Sequence, residues 1–163
     1  GRAPSGRISV AQAIQARLLL RARRRNSSAM TRTFGLAPTA EEMEELAREA
    51  LARLPREFLA HLGEIVLRVE DFADRETLDA LEIESEYDLS GIYEGIPLGD
   101  KSIDHSGTMP DRIRLFRMPI LLEWAERGDE TLEHLVTHVL VHEVGHHFGL
   151  SDEAMHALED AVA

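Results

Sequence analysis

From Thr39 onward, apolar residues recur on a helical period. Met43, Leu46, Ala47, Ala50, Leu51 and Leu54 stand three or four positions apart, which lays one apolar face along a helix. Thr39 and Glu42 form a T-x-x-E capping box at its start, and Pro55 ends or kinks it. A short helical piece, Arg56 to Leu62, follows and Gly63 closes it. The period then changes to two. Ile65, Leu67 and Val69 alternate with Val66 and Arg68, which predicts a first strand. Residues 74–82 read as a short helix. Residues 85–111 lose the pattern and are rich in Gly, so they read as a long surface loop with one short strand near Ile92. Loops of that length in a compact domain are often functional. A second strand runs from Arg112 to Arg117, with Ile113, Leu115 and the ring of Phe116 as core candidates. Pro119 suits the first turn of a helix that runs to about Arg127 and stops at Gly128. Thr131 or Asp129 caps the next helix, which extends to about Phe148 and ends at Gly149; Ser151 caps a last one. This order of elements predicts an α+β domain with a small sheet packed on the long helix that ends at Phe148.

The charge distribution changes the picture at the N-terminus. Of the 163 residues, 44% are hydrophobic and 29% charged, the balance of one globular domain. Residues 1–32 carry eight Arg and no acid, whereas the remaining ten basic residues share residues 33–163 with all thirty acids. The split is therefore +8 against −20, and it divides a basic extension, 1–32, from an acidic domain, 33–163. Within the extension, Ser9 caps a candidate helix. Three roles compete for it: a targeting segment, a nucleic-acid or membrane-surface arm, and a weakly ordered extension without a role. The last is the expected one, since termini are often unstructured. The chain does not begin with Met, and Met30 stands just before the regular pattern, which makes it the expected natural start. A net charge of −12 argues against nucleic acid as partner of the acidic domain. Cysteine is absent, which excludes disulfides, thiolate zinc sites and a cysteine nucleophile. No apolar run approaches the ~18 residues of a membrane span. With no secretory signal either, the expected address is cytoplasmic.

The candidate chemistry lies at residues 142–152, HEVGHHFGLSD. His142 and His146 are four apart on the expected helix, so both imidazoles share a face one turn apart and both can reach one metal ion. Glu143 projects beside that position, where a general base takes a proton from metal-activated water. Gly149 allows a left-handed exit from the helix. Asp152, six residues after His146, is then placed to supply a third ligand. Glu153 and His156 are spare candidates for that role. His134 and His138 extend the same row toward the helix start and are expected beside the site, while His147 is rotated about 100° from His146. His61 and His105 read as surface residues. Tyr87, Tyr93, His105 and Arg112 are the candidates to steady an oxyanion.

The string H-E-x-x-H-x-x-G-x-x-D resembles the zincin-like metallopeptidases, a family of small bacterial proteins built as a minimal zincin domain. The likeness covers about residue 33 to the end and includes PDRIRLFRMPI, VHEVGHHFGLSDEAM and the Tyr93–Gly95 segment. It implies a zinc cofactor held by His142, His146 and Asp152, with Glu143 as catalytic base. The motif is also similar to that of metzincins, with Asp in place of their third His. Only 11 residues follow Asp152, too few for the Met-turn subdomain of a metzincin, so Met155 reads as a core residue of the last helix. Two function classes follow. One is a zinc-dependent peptidase acting on peptides or proteins, the acidic domain favouring basic or neutral ones. The other is a zinc-stabilised binding or regulatory module without turnover. Glu143 separates them, because a structural site needs no base and usually takes four protein ligands.

Overall fold

The computed structural model of the chain describes residues 35–95 and 110–163, and its main compact unit is Pro38–Ala163. The basic extension, including the helix expected after Ser9, lies outside the described residues, as does His105. Among the described residues there are six α-helices and a three-stranded mixed sheet, an α+β fold. Helix α1 is Ala40–Ala52 and α2 Arg56–Leu62; strand β1 is Ile65–Glu70; α3 is Arg75–Ala80. A 3-10 turn at Glu86–Asp88 leads to β2, Gly91–Glu94. Then come β3, Asp111–Phe116, α4, Arg117–Arg127, α5, Leu132–Phe148, and α6, Asp152–Val162.

Local signals account for the helix ends. Thr39 accepts from the Glu42 N–H at 3.1 Å while the Glu42 carboxylate accepts from the Thr39 N–H at 2.8 Å, so the capping box satisfies two otherwise orphaned donors. Thr131 caps α5 and Ser151 caps α6. The strand order is β1-β3-β2, with β1 parallel and β2 antiparallel to β3. The later strand thus inserts between the two earlier ones, and β2 becomes an edge.

One face of the sheet, through Leu67, Val69, Ile113 and Leu115, packs with α1 and α5 into the main core. Helix α5 runs through the middle of it: Leu135, Val136, Leu140, Val141 and Val144 are all fully buried. Phe116 points to the other face and joins Ala73 and Leu78 in a second cluster. Met155 is 3% exposed, a core residue of the last helix. A Cβ at Gly145 would stand 2.7 Å from its Cγ, so a glycine at that turn of α5 lets α6 approach.

Arg114, also on the far face, ties three elements together. It donates to Glu70 of β1 at 2.8 Å, to Asp74 at the cap of α3 at 2.8 Å and to Glu94 of β2 at 3.2 Å. Its side chain is 10% exposed, whereas the three carboxylates retain a third to a half of their exposure. Arg114→Leu is expected to lower stability by about 2–4 kcal/mol, somewhat less than loss of a fully buried partner because the carboxylates stay solvated. Urea unfolding measures it. The bond to Arg114, and then the Thr77 N–H, hold the Asp74 carboxyl well below its ordinary value of 3.8. A depressed carboxyl stabilises the fold fully above its unfolded pKa. That contribution is lost as pH falls below about 3.8 toward the folded pKa. Melting temperature followed through that acid window should therefore fall less steeply in the Arg114→Leu variant.

Candidate metal and catalytic site

Helix α5 presents His138, His142 and His146 as a row at four-residue spacing, with Glu143 on the adjacent flank. The rings of His142 and His146 have centroids 6.1 Å apart, while His142 and His138 are closer, at 4.3 Å. Gly149 ends the helix at φ +66°, a left-handed conformation that favours glycine, and the Leu150 N–H bonds back to the Gly145 carbonyl at 2.9 Å. That turn reverses the chain and starts α6 at Asp152, whose side chain is exposed.

Glu143 and His146 share the wall of a cavity of about 500 Å³. Gly91, Tyr93 and Gly95 of the β2 segment form a second wall, and Leu81, Ile83, Leu89 and Ile92 make an apolar one. Gly91 sets how closely β2 lies on α5. A Cβ there would stand 3.1 Å from Glu143 Cγ, 3.1 Å from Val139 and 3.0 Å from Leu115. The strand comes close enough for the Tyr93 N–H to favour the charged form of the Glu143 carboxylate. Burial raises the Glu143 pKa, while the nearby His146 and the Tyr93 N–H pull it back.

Tyr93 is itself fixed. Its hydroxyl donates to Asp111 at 2.7 Å, and its ring stacks on His147 with centroids 4.0 Å apart. Burial, and then the Asp111 carboxylate, push the tyrosine pKa above its ordinary value. His147, expected to point away from His146, is buried in the same cavity wall, with Nε2 3.7 Å from Asp111. The rotation of about 100° carries its ring under β2 rather than out to solvent. Tyr93→Phe is expected to cost about 1.5–3 kcal/mol, the range for a hydrogen bond to a charged group, read from the shift in the chemical denaturation midpoint.

His142 Nε2 is buried and has no hydrogen-bond partner among the described residues. Burying a polar nitrogen without a partner is unfavourable, and a metal ion is a partner that suits a neutral imidazole. Burial and the neighbouring His138 both lower the His142 pKa, which favours that neutral form. The donor set therefore fits zinc. Among the described residues, however, the donors that lie within 4.8 Å of one another belong to His138, His142 and Glu159, and do not include Asp152. Glu159, on α6, meets His138 Nδ1 at 2.8 Å. Sequence spacing pointed to neither Glu159 nor Asp111, since each meets its partner only across elements. Tyr87 is half-exposed and packs on Phe72, whereas Arg112 pairs with Glu94 at 3.9 Å.

A half-buried edge strand thus lies against a helix that carries spaced imidazoles and a partly buried carboxylate. A family model of zincin-like metallopeptidases matches residues 62–162, and the chain belongs to that family. No curated protein matches the chain. Among the described residues no helix is long and apolar enough to cross a membrane.

Proposed function

We propose that the protein is a zinc-dependent peptidase in which His142, His146 and Asp152 hold the metal and Glu143 is the general base. The observation that carries this reading is the placement of Glu143: a partly buried carboxylate beside His146, in the wall of an open cavity, against the edge strand that carries Tyr93. When bound, zinc supplies a Lewis acid that polarises the carbonyl and acidifies water. Glu143 accepts a proton from the attacking water and passes it to the leaving amine. Its raised pKa suits both halves of that task, because an ordinary carboxylate is a weaker base. His142 and His146 bring imidazole nitrogens from successive turns of one helix. Asp152, exposed at the start of α6, supplies the anionic ligand.

The apolar wall of Leu81, Ile83, Leu89 and Ile92 favours substrates with an apolar side chain next to the scissile bond. The acidic domain favours basic or neutral peptides over acidic ones. A binding module without turnover would have no use for this carboxylate in the cavity wall. The expected result is about one zinc per purified chain and cleavage of members of a mixed peptide library. Cleavage should stop with a chelator and return with zinc. A chain that cleaves no peptide in such a library, and whose zinc content neither His146→Ala nor Asp152→Ala lowers, would overturn the reading.

A further inference from the structure

His142 stands in the middle of the imidazole row, with a candidate metal position on either side of it. Toward His146 lies the position assigned above. Toward the helix start lie His138 and, from α6, Glu159. The carboxylate of Glu159 is 2.8 Å from His138 Nδ1, and a donor atom from each of His138, His142 and Glu159 lies within 4.8 Å of the other two. Ligand atoms at zinc distances in a tetrahedral site are about 3.4 Å apart, so these three need only small rotations to surround an ion. The set is tied down from outside the row. Glu159 is 12% exposed, and it reaches His138 from the last helix, which Met155, Leu158 and Val162 anchor in the interior. The ring they flank, His142, is the one with a buried nitrogen that no described group satisfies.

We propose that His138, His142 and Glu159 form a second divalent-metal position, which competes for His142 with the one shared with His146. The inference rests on the reading above for the first position only. Two imidazoles and one carboxylate suit zinc or a similar borderline transition metal, not magnesium or calcium, which take oxygen ligands. His142 serves one ion at a time, so each chain holds one ion at either place. An ion at the His138–Glu159 position leaves His146 without its helix partner and lies away from the cavity that Glu143 lines. The chain in that state is metal-loaded but inactive.

The test is zinc uptake by the full chain, stripped of metal and titrated against a chromophoric chelator, with folding followed by circular dichroism. His146 and Asp152 are both exposed, so a His146→Ala, Asp152→Ala chain should fold. It is expected to retain one zinc, and adding Glu159→Gln should remove that zinc, to the level of a His142→Ala chain. A folded double variant that binds no zinc overturns the proposal. So does retention of the zinc after Glu159→Gln. Should the alanine pair fail to melt cooperatively, His146→Asn with Asp152→Asn puts the same question with polar side chains kept. A His138→Ala, Glu159→Gln chain separates this inference from the reading it rests on. If that chain keeps zinc and cleaves peptide, the first position stands whatever the fate of the second. If it loses zinc while the His146→Ala, Asp152→Ala chain keeps it, the first assignment fails and the second position holds the metal.

Discussion

Glu143→Gln is expected to lower peptide hydrolysis by about 10²–10⁴-fold while zinc content and melting temperature stay close to those of the wild type, the effect typical of losing a general base. Glutamine keeps the shape of the side chain. It cannot accept the proton from water or return it to the leaving amine. Burial already disfavours charge at this position, so the neutral amide should not strain the fold. The loss should appear in kcat, because the proton moves in the transition state and not on substrate binding. Equal cleavage by the two proteins would remove Glu143 from the mechanism. A parallel loss of zinc would instead make it a structural partner of the metal.

His142→Ala is expected to bring zinc to background and to abolish hydrolysis with it. This is the largest effect foreseen, because His142 belongs to both proposed donor sets, His142–His146–Asp152 and His138–His142–Glu159. Without it each set keeps one imidazole and one carboxylate, too few protein ligands for a catalytic zinc site. The substitution also deletes the buried Nε2, which has no hydrogen-bond partner among the described residues, so the metal-free chain should lose little stability. Elemental analysis of the purified variant, beside a thermal melt, reads both quantities. Zinc at full occupancy would show that the metal sits elsewhere in the chain.

Much of the fold was legible because its signals are short-range. The apolar period from Met43 to Leu54, the Thr39–Glu42 box, Gly149 and Ser151 act within one or two helical turns, and each element forms where they place it. The strand at Ile65–Glu70 and the short one around Ile92 follow from alternation in the same way. Asp152 illustrates the limit. Its distance along the chain from His146 suits a third ligand, yet its side chain is exposed at the start of α6, while Glu159, two turns further on, reaches the imidazole row.

What the sequence determined by itself is the helices and strands among the described residues and the side of α5 on which its imidazoles line up, because helical period and capping depend on neighbours a few residues apart. What tertiary structure alone decided is which groups meet those imidazoles and the carboxylate. Strand β3 enters between β1 and β2, which puts Gly91 and Tyr93 on the edge strand against Glu143. Asp111 holds Tyr93 from 18 residues away, Glu159 reaches His138 from 21, and Arg114 binds Glu70 from 44. Such contacts depend on strand order and on how closely two elements pack, and a packing distance is set by the whole core rather than by any local run of residues.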